Sequence, residues 1–254
     1  MTKLSQRRAL ITGGTGGVGA AVARGLGLSG FHVVITDLDA LACQRLADEI
    51  TQAGGSAEGA ALDVTDRAEV EAVFAAQDAQ GGIDTLVSSA AIVKAAPILE
   101  FDPEDWARII EINLTGTFHC CQAAGRRMAE AGFGRIVTIS SVNGQIANSY
   151  RGAYSCTKGG VDMLTRLLAA ELGAHGVTAN AVAPTPVDTP MILKVHGPQD
   201  RKRWTDQIPA ARYAQPQEVA GAVAFLASED AAYINGHILN IDGGFMASGI
   251  LLDR

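Results

Sequence analysis

The chain has 254 residues, 48% apolar and 19% charged, which is ample material for a packed core and excludes a mainly disordered chain. At about 150 residues per domain the length fits one large domain or two small ones. Lys and Arg total 20 against 27 Asp and Glu, and the resulting net charge of −7 supplies no basic field for a nucleic-acid backbone, so nucleic acid is not an expected partner.

No run of about 18 apolar residues occurs, so no membrane span is expected. The segment Met1 to Arg8 lacks the long apolar region of a secretory signal. The four cysteines are Cys43, Cys120, Cys121 and Cys156, with no CxxC spacing. They fit neither a zinc site nor a disulfide scaffold, and read as buried free thiols in a reducing cytoplasm; no metal is expected.

The predicted elements alternate along the chain. A short strand at Ala9–Ile11 leads into a glycine turn and a helix with Val18, Ala21, Val22, Gly25 and Leu26 on one face. A second strand covers His32–Ile35, a weaker third ends at Ala60–Leu62, and a fourth covers Ile83–Val87. Asp102 and Pro103 open a helix as N-cap and first residue. A fifth strand spans Arg135–Ile139, and a later helix has a stripe of Val161, Leu164, Leu167, Leu168 and Leu172. The sixth strand is Val177–Val182 and the last His237–Ile241. Seven strands interleaved with helices predict an α/β chain: one doubly wound Rossmann domain over residues 1–254, its seven-stranded parallel sheet covered by helices on both faces. No repeat, low-complexity tract or linker interrupts it. The least regular stretch, 185–214, holds Pro186, Pro190, Pro198 and Pro209 and reads as a mobile flap.

The turn after the first strand reads Thr12-Gly13-Gly14-Thr15-Gly16-Gly17-Val18-Gly19. Glycines let backbone N–H groups approach a pyrophosphate, and a helix N-terminus adds partial positive charge. The position between a strand and a helix gives this cluster its meaning. Asp37 ends the second strand at the distance expected of an acid that holds the adenosine ribose hydroxyls. With no Arg or Lys within five residues, it repels a 2′-phosphate and predicts NAD rather than NADP; the other reading of Asp37 is a helix cap. Asp63 and Val64 are placed to meet the adenine, and Asp63 fits a cap equally well.

Tyr154 and Lys158 stand four apart and share a helix face. A free tyrosine ionises near ~10 and is a poor base at neutral pH, and a neighbouring ammonium favours its phenolate. Such a pair can serve as acid or base between alcohol and ketone. Ser141, at the end of the fifth strand, is either a group that holds the substrate oxygen or a turn serine. Asn113 lies on the stripe of Trp106, Ile109 and Ile110, as a satisfied core amide or part of a proton relay with Lys158.

In this order and spacing, Thr12–Gly19, Asp63, Asn113, Ser141, Tyr154, Lys158 and Pro184 followed by Thr189 resemble the short-chain dehydrogenase/reductase family over essentially the whole chain. The resemblance implies Tyr154 as general acid/base and Ser141 as substrate-orienting. It makes Lys158 the group that lowers the Tyr154 pKa and binds the nicotinamide ribose, and Asn113 the holder of a water in the proton path. It places Gly13, Thr15, Gly16, Gly17, Val18, Gly19, Asp37, Asp63, Val64, Ser89, Ala90, Tyr154, Lys158, Pro184, Val187 and Thr189 at the cofactor, and implies a homotetramer, although the apolar ending Phe245 to Leu252 fits either an interface or packing on its own subunit. The chain departs from the family's usual Asn-Asn-Ala-Gly with Ser88-Ser89-Ala90-Ala91, and from its Pro-Gly with Pro184-Thr185. The first departure is expected to cost Ser88 its sheet-bracing bonds or leave them to water. The second is expected to alter the nicotinamide loop, because threonine does not take glycine's backbone angles freely.

The late segments Ile208–Arg212, Pro216–Glu218, Phe225–Ser228, Asn235-Gly236 and Asp242–Gly244 resemble members acting on sugars, polyols and sugar acids, gluconate 5-dehydrogenases among them. Asn143, Gln145 and Arg151 lie where side chains face a substrate; amides suit hydroxyls and Arg suits an anion, although charged loop residues are mostly solvated. Lys94 is expected to add positive charge there, while Lys194, His196, Arg201, Lys202 and Arg203 are expected to face solvent. Trp204 either docks the flap or joins an oligomer interface. The reading is an NAD-dependent oxidoreductase acting on a polyhydroxylated small molecule. The alternatives are a reductase of 3-oxoacyl thioesters or other ketones, and a dinucleotide sensor without turnover.

Overall fold

A computed structural model describes residues 6–249. The β-branched runs form seven parallel strands: β1 (Arg8–Thr12), β2 (His32–Asp37), β3 (Ser56–Ala61), β4 (Thr85–Ser88), β5 (Gly134–Ile139), β6 (Val177–Pro184) and β7 (Ile238–Ile241). They lie in the order β3-β2-β1-β4-β5-β6-β7. The order reverses between β1 and β4, and in such sheets ligands bind at the carboxyl ends of the strands beside that reversal.

Alternate residues of the central strands feed two cores, as period two requires. Ile11, Ile35, Val87 and Val137 pack on one side with α1 (Gly17–Leu28), α2 (Ala40–Gln52) and α9 (Pro216–Ala227). Leu10, Val34, Leu86 and Ile136 pack on the other with α3 (Arg67–Asp78) and α5 (Gly116–Ala131). Residues of α6 (Gly152–Leu172), Leu168 and Leu172 among them, join this second core. Asp102 caps α4 (Pro103–Ile110) by accepting from Glu104 N at 2.7 Å, with Pro103 in its first turn, as its sequence predicts.

The leucine stripe expected to be the inner face of α6 is a correction. Val161 is buried, but Leu167 is 51% exposed, and the buried face is Ala153, Thr157, Lys158, Val161, Asp162, Thr165 and Ala169. The helix turns its small and polar side to the ends of β5 and β6 and divides its leucines between the core and the surface. The stretch 185–214 is also more regular than expected. It carries α7 (Pro190–Val195) and α8 (Pro198–Gln207), and a bridge between Val187 and Ala214 closes its base. Residues 250–254, which include Leu252 of the apolar ending, lie outside the described residues.

Candidate active site

The strand ends open into a cleft of about 670 Å³. Its first wall is the glycine turn. Gly13 has φ +61°, and a Cβ there would stand 2.7 Å from Ala90 Cα. At Gly19 a Cβ would stand 2.2 Å from the Gly13 carbonyl oxygen. The turn therefore approaches its neighbours with bare backbone. Gly16 caps α1 without a side-chain acceptor, leaving N–H groups for an anion. Thr12 Oγ1 accepts from Ser89 N at 3.1 Å and Ala90 N at 3.3 Å, which ties β1 to the loop after β4.

Asp37 lines the cleft beside the glycine turn. Its carboxylate accepts from the backbone N–H and hydroxyl of Thr15 and from Leu38 N. It is not the cap of α2, because Asp39 accepts from Ala42 N at 3.0 Å in that role. The same holds for Asp63: the cap of α3 is Asp66, and Asp63 accepts instead from Thr65 N at 2.9 Å and Thr65 Oγ1 at 2.7 Å. Val64, Ser89, Ala90, Pro184, Val187 and Thr189 line the cleft with them. The bare turn, the helix terminus and the two acids free of capping duty fit a dinucleotide.

Both departures from the family pattern are accommodated directly. Ser88 Oγ donates to Thr117 Oγ1 at 3.3 Å, which ties β4 to the covering helix α5 and not to a neighbouring strand. Among the described residues only Tyr150 and Ala211 hold positive φ outside glycine, so Thr185 keeps a backbone that any residue adopts, its N–H 3.3 Å from Ile241 O.

At the far end of the cleft, Ser141, Tyr154 and Lys158 come together. Ser141 Oγ accepts from Asn143 N at 3.2 Å and Nδ2 at 3.3 Å. Lys158 Nζ lies 5.5 Å from the centre of the Tyr154 ring and donates to Ile139 O at 2.7 Å. Burial pushes the Lys158 ammonium down to about 8, with Asp162 opposing. Burial raises the Tyr154 phenol above its usual range, while Ser141 and Arg151 pull it back. The net direction is opposite to the lowering expected from Lys158, because desolvation of the phenolate outweighs the nearby charges.

Asn113 sits in a π-helical turn (Glu111–Thr115) between α4 and α5 and is 0% exposed. Its Oδ1 accepts from Ile92 N and its Nδ2 donates to Ile92 O, both at 2.8 Å, and to Thr157 Oγ1 at 3.3 Å. The side chain clamps the segment after β4 and is not in the lining of the cleft. Gln145 is a correction. It turns away after the short helical turn Val142–Gly144, donates to Asn240 Oδ1 at 2.6 Å, and is not a cleft residue. Lys94 adds no free charge, because Asp105 pairs with it.

The sequence reading missed the flap's contribution. His196, expected in solvent, lines the cleft and meets Arg151 Nη2 at 3.1 Å through Nε2. Its Nδ1 lies 2.9 Å from the hydroxyl of Tyr213, a fully buried residue. Arg201 also turns inward, onto the Tyr213 ring. Trp204 lines the cleft and packs on Phe245 with ring centres 5.4 Å apart, so it docks the flap. Only contacts across the fold reveal these roles. Among the described residues no group of His, Cys, Asp and Glu side chains gathers to hold a metal.

A family model described as "Enoyl-(Acyl carrier protein) reductase" matches residues 13–246. D-threitol dehydrogenase of Mycolicibacterium smegmatis is 41% identical over 96% of this chain and 94% of its own length. A 3-oxoacyl-[acyl-carrier-protein] reductase of Synechocystis is 38% identical over 97% and 99%. The crystal structure of a gluconate 5-dehydrogenase from Burkholderia cenocepacia, in complex with NADP and tartrate, superposes with a TM-score of 0.92 at 36% identity, covering 96% of each chain. The chain belongs to the short-chain dehydrogenase/reductase family, whose members are oxidoreductases using a nicotinamide dinucleotide.

Proposed function

We propose that this protein is an NAD-dependent dehydrogenase interconverting a secondary alcohol and its ketone on a polyhydroxylated small molecule: a sugar, polyol or sugar acid. The observation that carries the reading is the pairing of half-buried Tyr154 with buried Lys158 near Ser141, at the end of a cleft whose other end is a glycine-rich turn. Tyr154 exchanges a proton with the substrate oxygen, which Ser141 orients. Lys158, charged below about 8, stabilises the phenolate as it forms and holds the nicotinamide ribose. Asn113 is a positioning residue that fixes the Ile92 segment beside the cofactor.

The nicotinamide, when bound, accepts or supplies the hydride. Gly13, Thr15, Gly16, Gly17, Val18 and Gly19 would hold the pyrophosphate end, with Ser89, Ala90, Pro184, Val187 and Thr189 along the cleft and Asp63 and Val64 at the adenine. Asp37 supports NAD, because a carboxylate at the ribose hydroxyls repels a 2′-phosphate. Asn143 and Arg151 face the substrate with Ser141. No helix among the described residues is long and apolar enough to cross a membrane. The exposed Phe118, Met163 and Leu167 on α5 and α6 support a homotetramer, and the free thiols, Cys43, Cys120 and Cys121 buried and Cys156 exposed contrary to expectation, support a cytoplasmic setting.

The test is nicotinamide absorbance with NAD and NADP against threitol, sorbitol, gluconate and simple secondary alcohols, with a 3-oxoacyl thioester plus reduced cofactor in parallel. Reduction of NAD by a polyhydroxylated compound is expected. Turnover of the thioester alone retires this reading for the reductase.

A further inference from the structure

Arg151 occupies the N-cap of α6, three residues before Tyr154, and is half-buried in the cleft. Several arginines meet carboxylates, Arg7 with Asp84, Arg24 with Glu49, Arg201 with Asp188 and Arg212 with Glu218, while Arg67 and Arg135 bond an amide and backbone carbonyls. Arg151 forms no ion pair among the described residues. Its hydrogen bond goes to a ring nitrogen, His196 Nε2, at 3.1 Å.

That contact defines the histidine. A guanidinium only donates, so Nε2 accepts and Nδ1 carries the proton, which it donates to the Tyr213 hydroxyl at 2.9 Å. His196 is therefore neutral, and its surroundings keep it so. Burial and the charges of Arg151 and Arg201 hold its pKa below the ordinary value, with Asp200 opposing. The ring is steadied from below. It meets Tyr213 edge-on at 5.9 Å, and Arg201 lies over the Tyr213 ring at 4.5 Å while pairing with Asp188 at 2.8 Å. An uncharged acceptor thus fixes one N–H of Arg151 and leaves its positive charge unneutralised and its other donors available in the cleft that Ser141 and Asn143 also line.

We propose that Arg151 is the carboxylate-binding group of the substrate cleft, and that His196 is the positioning residue that sets its guanidinium from the flap. The proposal rests on the dehydrogenase reading and narrows its substrate to a hydroxy acid. A planar guanidinium matches a carboxylate with two parallel hydrogen bonds, which a terminal CH₂OH group cannot reproduce. Coupling through His196 also links acid binding to the seating of α7 and α8.

The experiment is calorimetric titration of the protein saturated with reduced nicotinamide dinucleotide, which cannot oxidise an alcohol, with ligands matched in carbon skeleton: gluconate against sorbitol, and tartrate against threitol. In the wild type, one acid at least is expected to bind about tenfold or more tightly than its neutral match. Arg151→Gln brings that acid down to the level of the neutral compound. His196→Ala weakens the acid severalfold, and His196→Gln, whose amide again offers an acceptor to Arg151 and a donor, restores most of the loss. Nicotinamide affinity, measured for each variant, reports intact folding. Acids binding no better than their neutral matches in the wild type overturn the proposal, as does Arg151→Gln weakening both members of a pair equally. Binding is read without turnover, so a protein that holds the acid but never oxidises it sinks the dehydrogenase reading while the subsite stands.

Discussion

The two ends of the cleft are made of different material. The glycine end is mostly backbone: a turn with few side chains, a helix terminus and two acids held by neighbouring threonines. The substrate end is side chains drawn from three distant segments: the Ser141–Asn143 turn, the start of α6 and the flap. A backbone site needs a fixed pattern of glycines, so it constrains the sequence locally. A side-chain site needs only that certain atoms meet, and many sequences arrange that. The first end therefore defines a family, and the second is free to define a substrate.

The sharpest way to separate the two ends is Tyr154→Phe. It removes one hydroxyl from the chemical end, so turnover should fall by about 10²–10⁴-fold while nicotinamide affinity holds. A variant that loses cofactor binding as well would mean that the two ends are not separate.

The reverse experiment is Gly19→Ala. Its methyl would stand 2.2 Å from the Gly13 carbonyl oxygen, where only backbone can yield. The strain should cost roughly 1–3 kcal/mol, seen as a lowered melting temperature together with weakened dinucleotide binding. Unchanged affinity would show that the turn is looser than its contacts indicate.

The Lys158 charge spans both ends. Its pKa is depressed, so the ammonium is present below about 8 and lost above it. Tyr154 is raised and stays protonated over the same range. In the reductive direction kcat/KM should therefore fall above pH 8, by about tenfold per unit once Lys158 titrates. A flat profile into the alkaline range would refute this assignment. Asp37→Ala should shift the NAD-to-NADP ratio by a smaller factor, about tenfold, by removing the repulsion of a 2′-phosphate. Gln145→Ala is the null at the bottom of the scale: it breaks a surface bond to Asn240 and should leave the substrate KM unchanged.

What was legible in the sequence follows the same division. The strands could be read because each buried run alternates between two cores, as Leu10 and Ile11 do. The glycine turn could be read because glycines at this spacing between a strand and a helix are a local signal. Asp37 and Asp63 kept a second reading as caps until Asp39 and Asp66 were seen to fill those positions. The α6 stripe misled because leucines at helical spacing normally face inward, yet this helix must turn Lys158 and Asp162 to the sheet. Asp162 is 3% exposed, and neither of its oxygens has a well-formed hydrogen bond. Burial raises its pKa, while Ser140, Arg166 and Lys158 pull it back. His196 and Tyr213 were illegible: one is a lone histidine among surface charges, the other a tyrosine in a proline-rich stretch, and nothing in their spacing announces Arg151.

The π-helical turn at Glu111–Thr115 carries a consequence for how this region tolerates change in chain length. Successive α-helical residues are rotated by about 100°, and a π turn accommodates an extra residue without breaking the rod. Deleting one residue there would restore an ordinary helix and leave α4 and α5 close to their present phase, because a π turn takes up about one residue more than an α turn. The change would fall on the turn itself, where Asn113 holds the Ile92 backbone, while Cys120 and Cys121 keep their places in the core. A one-residue deletion between Glu111 and Thr115 should therefore loosen the segment after β4 at a smaller cost to stability than a deletion inside α5, which has no such turn to absorb it.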